Sequence, residues 1–295
     1  MNNTSTDSSH AFCLVECPRD AMQGIHDFIP TEIKTAYLNL LLEVGFDVID
    51  CGSFVSPKVI PQMSDTAEVL HAVQRGSSRS KLLCIVANQK GAEMAALHEQ
   101  VDILGFPFSI SETFQLSNTG VGRVAGLETI AHLVERCARH QKELVVYLSM
   151  GFGNPYGEEY DSSMVGEWTQ RLVELGVNTL SLSDTVGLAT PEQIKSLYEP
   201  LKNSFPHVSF GLHLHAHPAH RDDKIAAAYE SGCRRFDGAL LGFGGCPMAQ
   251  DEMVGNLATE HIVQFAKKQG IGLNLVTEKW HQAQWMATGI FGTFH

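Results

Sequence analysis

Apolar residues recur along this chain in short runs that are rich in β-branched or aromatic side chains, and stretches of helical period separate them. Eight runs predict strands: Phe12–Glu16, Asp47–Cys51, Leu82–Ala87, Val101–Phe106, Leu144–Ser149, Thr179–Leu182, Val208–Leu214 and Arg235–Ala239. Between them, Thr31–Val44 places Ile33, Tyr37, Leu40, Leu41 and Val44 on one helical face, and Ser162–Leu175 repeats Met164, Trp168, Leu172 and Leu175. Gly45, Gly176 and Gly232 stand where helix C-caps belong, each shortly before a strand. Strand, long connection and helix repeated eight times predicts an α/β fold with a parallel sheet and right-handed crossovers, and eight units close a (β/α)8 TIM barrel. An open doubly wound sheet is the competing arrangement, but no GxGxxG fingerprint follows the first strand. The expected organisation is a polar leader over 1–11 and one barrel domain over 12–295. Within that domain, 255–295 is a C-terminal extension whose Trp280, Trp285, Ile290, Phe291 and Phe294 pack on the barrel or on a partner subunit.

Composition narrows the function. The 295 residues are 44% hydrophobic and 18% charged, an ordinary globular mixture. The formal net charge of −12 opposes binding to nucleic acid or to an anionic membrane, so an anionic substrate must meet a local cluster of cations or a metal. No apolar stretch approaches membrane-spanning length, and the first ten residues lack a basic flank and apolar core, which makes the cytoplasm the expected compartment. Seven cysteines with no CxxC pair suit free thiols rather than a disulfide framework.

In a barrel the chemistry sits at the carboxyl ends of the strands. The first strand ends in Glu16-Cys17-Pro18-Arg19-Asp20, the second in Asp50-Cys51-Gly52-Ser53 and the seventh in His213-Leu214-His215. Residues i and i+2 of a strand share a face, so His213 and His215 both point inward and can hold one ion, with Asp20 across the mouth. Two imidazoles and a carboxylate suit Mg²⁺, Mn²⁺, Fe²⁺ or Zn²⁺, and the ligand types alone do not choose among them. His217 and His220 fall past the strand, as exposed or supporting residues. Beyond strand eight, Gly242-Phe243-Gly244-Gly245-Cys246-Pro247 predicts an exposed loop whose thiol can reach a substrate as acid or base, and Gly255-Asn256 offers an amide oxygen at the same rim.

At these residues the chain resembles the 3-hydroxy-3-methylglutaryl-CoA lyase family, among the metal-dependent lyase and synthase barrels that include isopropylmalate and homocitrate synthases. The resemblance rests on Pro18-Arg19-Asp20 with Gln23, Ser53-Phe54-Val55-Ser56-Pro57-Lys58 with Pro61-Gln62-Met63, and Ser109-Ile110-Ser111-Glu112-Thr113-Phe114 with Asn118. It continues through Ser181–Gly187, the His213/His215 pair, the Cys246 loop and Gly255–Glu260. It implies cleavage of 3-hydroxy-3-methylglutaryl-CoA to acetyl-CoA and acetoacetate, with Mg²⁺ or Mn²⁺ held by Asp20, His213, His215 and Asn256. Arg19 then holds the thioester oxygen, Cys246 protonates the enolate, and Glu112 and Asp184 orient the ligands from behind. Glu16, Gln23, Asp50 and Ser53 complete the expected surroundings of an acyl-CoA substrate, in a homodimer. The chain departs from the family pattern in a shorter first loop that shifts Glu16, in Asp50 where Glu is usual, in Ala216-His217 after the histidine pair, and in a longer segment after Cys246. A related acyl-CoA lyase, a Claisen-type synthase acting on a 2-oxo acid, and a non-catalytic acyl-CoA-binding barrel are the alternatives.

Overall fold

The structure, a computed structural model, describes residues 12–245 and 254–294. Its strands are β1 (Cys13–Glu16), β2 (Val48–Ser53), β3 (Lys81–Ile85), β4 (Ile103–Ser109), β5 (Glu143–Ser149), β6 (Thr179–Asp184), β7 (Ser209–Leu214) and β8 (Arg235–Gly238). Each pairs in parallel with the next, and β1 closes on β8 with Cys13 opposite Arg235 and Glu16 opposite Gly238. The predicted (β/α)8 barrel is therefore the observed one, and every predicted run overlaps its strand. The helices are α1 (Pro18–Gln23), α2 (Thr31–Val44), α3 (Thr66–Ala72), α4 (Gln89–Leu97), α5 (Glu112–Thr119) and α6 (Arg123–His140). After β5 come α7 (Ser162–Glu174), α8 (Pro191–Ser204), α9 (Arg221–Glu230), α10 (Thr259–Lys268) and α11 (Thr277–Thr293). Gly45 caps α2 as predicted, its N–H bonding the Leu41 carbonyl, and α8 starts on a capping box between Thr190 and Gln193.

Strand parity divides the core in two. Val15 and Cys17 point into the barrel and pack with Val48, Leu83, Ile85, Ile103, Val145 and Tyr147. The alternate residues, such as Leu14, Ile49 and Phe236, belong to the larger apolar layer between strands and helices. Among the described residues no helix is long and apolar enough to cross a membrane.

The C-terminal segment packs on the barrel's helical shell. Helix α11 lies along α2, with Trp280 against Phe46 at 6.1 Å between ring centres and Phe291 stacked on Phe243 at 4.5 Å. Ala283, Ala287 and Ile290 repeat at helical spacing and are buried. Trp285 does not pack on the barrel: it lies two residues past Ala283, on the opposite side of the helix, and is 82% exposed. Trp280→Ala is accordingly expected to lower the unfolding free energy by about 3 kcal/mol, while Trp285→Ala shifts it by less than about 0.5 kcal/mol. Urea denaturation of the two variants checks the contrast, and equal losses would contradict the assignment of faces.

Candidate active site and metal centre

Pro18 opens α1 directly after β1, where its missing N–H costs nothing, and the helix carries Arg19, Asp20 and Gln23 over the barrel mouth. Asp20 is buried, and three side chains converge on it. Its Oδ1 accepts from Arg19 Nη1 at 3.1 Å and from Gln23 Nε2 at 2.8 Å, and its Oδ2 accepts from Asn256 Nδ2 at 2.7 Å. Asn256 arrives because the chain returning from β8 pairs with the end of β7. Ala216 N–H donates to the Gly255 carbonyl at 3.0 Å and Leu257 N–H to the Leu214 carbonyl at 3.1 Å. The Asn256 amide nitrogen also donates to the Phe243 carbonyl, which leaves the amide oxygen as the atom it can offer a cation.

His213 and His215 face Asp20, and the three residues offer ligand atoms that all lie within 4.8 Å of one another. His215 Nδ1 sits 3.0 Å from the Thr185 carbonyl, which can only accept, so Nδ1 carries the proton and Nε2 a lone pair. That Nε2 is buried and has no hydrogen-bond partner among the described residues. A buried, unsatisfied imidazole nitrogen facing a carboxylate and a second imidazole fits a divalent cation. The electrostatics agree. Burial alone would raise the Asp20 carboxyl, but Arg19, His213 and His215 outweigh it and hold the group down at about 2. Burial and the neighbouring His213 push His215 down to about 4, so its imidazole is neutral and able to ligate.

Arg19 is fixed between two carboxylates. Its Nε donates to both Asp50 oxygens at 3.1 and 3.2 Å and its Nη2 to Asp50 Oδ2, while Nη1 reaches Asp20 and Gln23. Burial opposes the guanidinium charge, and Asp50 and Asp20 more than reverse that, holding Arg19 above its ordinary value and permanently charged. Arg19, Asp20, His213 and His215 line one cavity of about 150 Å³ whose other wall is apolar, with Val55, Ile60, Pro107 and Phe114.

A model of the family described as HMGL-like matches residues 12–286. The chain belongs to the HMGL-like family. Among its relatives, the hydroxymethylglutaryl-CoA lyase of Bacillus subtilis is 32% identical over 262 residues, covering 89% of this chain and 87% of that protein. A solved HMG-CoA lyase of Bacillus subtilis superposes with a TM-score of 0.89 at 30% identity, covering 96% of this chain and 94% of the other. Another, from Acinetobacter baumannii, was solved with coenzyme A and 3-methylmalate; it gives a TM-score of 0.88 at 29% identity, covering 97% and 93%.

Some residues expected of an HMGL-like site lie elsewhere. Glu16 points out of the barrel, because strand parity puts Val15 and Cys17 inside. Its carboxylate accepts from the Leu240 N–H at 2.8 Å and the Thr259 hydroxyl at 2.6 Å, which ties β1 to α10 rather than to a substrate. Glu112 opens α5 and is turned away from the cluster toward Arg123, whose Nε donates to it at 2.7 Å. The Ser53 hydroxyl accepts from the Val55 N–H at 3.2 Å and shapes the turn after β2. Asp184 lies behind the histidines: Lys224 Nζ bridges its Oδ2 and the His215 carbonyl, both at 2.8 Å. His217 and His220 are exposed. Cys246 lies outside the described residues.

Three neighbours of the HMGL-like cluster were not singled out by sequence. Asp237 on β8 faces His213, Lys224 on α9 reaches under His215, and Tyr147 on β5 sets its ring edge-on to His213 at 5.8 Å. The one available signal was Arg235-Phe236-Asp237, two charged residues on the inward face of a strand.

Burial pushes the Glu16 carboxyl up to about 8, despite its hydrogen bonds from Thr259 and Leu240. An acid raised in the folded state keeps its proton there. The stability Glu16 contributes is therefore full below its ordinary value of 4.5 and is lost as the pH rises through about 8. Glu16→Gln cannot ionise and escapes that loss. Thermal melts should show the variant gaining on the wild type from pH 5 to pH 8, and a difference independent of pH would contradict the burial argument.

Proposed function

We propose that this chain is a divalent-metal-dependent carbon–carbon lyase that cleaves 3-hydroxy-3-methylglutaryl-CoA to acetyl-CoA and acetoacetate. The observation that carries the proposal is the unsatisfied His215 Nε2 facing Asp20 and His213, beside a permanently charged Arg19 in one cavity. The relatives named hydroxymethylglutaryl-CoA lyase, and the neighbour that holds coenzyme A, supply the substrate class. Asp20, His213, His215 and the Asn256 amide oxygen would hold the ion, with Mg²⁺ or Mn²⁺ favoured and Zn²⁺ also compatible with this donor set. When bound, it supplies Lewis acidity that lowers the pKa of the substrate's tertiary hydroxyl.

The remaining work falls to the chain. The hydroxyl proton passes to solvent water, C3 becomes a ketone, the C2–C3 bond breaks, and its electron pair enters the thioester as an enolate. Arg19 meets that developing charge on the thioester oxygen. Asp50 fixes the guanidinium in advance, so little reorganisation accompanies the reaction. Asp20 and Gln23 hold its other end, and Lys224 clamps the backbone of His215. A proton delivered to the enolate carbon completes acetyl-CoA, and Cys246 is the proposed donor. The segment before it supports that role. Gly244, at φ 94°, lies so close to Asp20 that a Cβ would come within 2.8 Å of the Asp20 carbonyl oxygen, so the chain leading to Cys246 starts at the cluster. On this proposal the enzyme acts in the cytoplasm as a homodimer.

A coupled assay for acetyl-CoA tests the proposal. Chelated protein should lose 3-hydroxy-3-methylglutaryl-CoA cleavage and recover it with Mn²⁺ or Mg²⁺. Undiminished turnover after chelation, or none with metal restored, would refute it. Arg19→Gln should lower kcat by about 10²–10³ with a smaller change in KM. A near-normal kcat would remove Arg19 from the transition state.

A further inference from the structure

Beneath the mouth, the barrel interior holds a second set of charged groups that the lyase reaction does not use directly. Asp237 on β8 is 1% exposed, and its Oδ2 lies 3.4 Å from His213 Nδ1. Its Oδ1 is buried with no hydrogen-bond partner among the described residues. Arg235, two residues earlier and so on the same face of β8, brings Nε to 4.0 Å from that Oδ1. Room for the arginine stem comes from the neighbouring strand: a Cβ on Gly211 of β7 would lie 2.7 Å from Arg235 Cδ. A carboxylate in such a place needs a countercharge, and the Arg235 guanidinium supplies it.

An imidazole whose Nδ1 faces a carboxylate carries its proton on that nitrogen and keeps the lone pair on Nε2. His215 is set in the same way by the Thr185 carbonyl. Both histidines at the mouth would then present Nε2 to the space they share with Asp20. Cys17, His213 and Asp237 are also close enough together to ligate a cation, but the Arg235 guanidinium already provides positive charge there.

We propose that Asp237, backed by Arg235 across the space opened by Gly211, is a positioning residue that fixes His213 in its Nδ1–H form with Nε2 turned to the cation site. The inference rests on the metal-site proposal above and adds to it a residue that touches neither ion nor substrate.

Two measurements on the full-length protein test it. In ¹⁵N-histidine spectra of metal-free wild type, His213 should be protonated on Nδ1, and Asp237→Asn should shift it toward the other tautomer while the remaining histidines stay unchanged. In titrations with Mn²⁺ alone, Asp237→Asn should bind about 10–100-fold more weakly, the usual cost of losing a carboxylate behind a metal-binding histidine. Cleavage activity in the variant should recover as Mn²⁺ is raised to saturation. Wild-type Mn²⁺ affinity in Asp237→Asn would overturn this inference and leave the metal site standing, whereas a wild type that binds no Mn²⁺ overturns both. Should Asp237→Asn fail to fold, the wild-type spectrum decides alone, since His213 protonated on Nε2 contradicts the proposal.

Discussion

A carboxylate buried on the short helix after the first strand has to be compensated, and most of the architecture around the barrel mouth follows from how Asp20 is. Its three hydrogen-bond donors come from its own helix turn and from the segment that returns after β8, 236 residues away in the chain. Closure of the barrel between β1 and β8 makes that meeting possible. The two histidines at the end of β7 complete the circle, and together they leave one buried imidazole nitrogen unsatisfied. Desolvation makes such a cluster costly when empty of positive charge and strongly selective for a cation when one is present.

The same economy governs the charges that surround it. The protein as a whole carries −12, yet the two arginines nearest the mouth and the barrel floor are each buried against an aspartate, Arg19 on Asp50 and Arg235 beside Asp237. Positive charge is thus placed beside buried carboxylates at the mouth and the floor, against the sign of the overall field. Rigidity comes from the pairing. Arg19 cannot swing toward a different partner without leaving Asp50 uncompensated.

Much of this was legible in the sequence, because a barrel strand buried on both faces leaves a short apolar run and the helices around it leave a period. The inward parity of His213 and His215 needed only strand geometry. Boundaries were lost where strands run on through small polar residues, as β2 does to Ser53 and β6 to Asp184. Glu16 reads like a site residue beside Arg19 and Asp20, but one step of strand parity turns it to the outer face. Glu112 sits in a motif shared with the family, yet a helix start facing Arg123 captures it. Asp237 and Lys224 escaped notice because their partners lie 24 and 40 residues away and no local pattern announces them. Only the pairing of β6, β7 and β8, with α9 connecting the last two, brings those pairs together.

The central claim is that Asp20, His213 and His215 form one cation site at the barrel mouth. Anomalous scattering at the manganese edge, from crystals grown with Mn²⁺, tests it most directly. A single strong peak coordinated by the Asp20 carboxylate and by Nε2 of both histidines is the expected result. Manganese bound elsewhere, with His215 Nε2 hydrogen-bonded to a protein group instead, would contradict it.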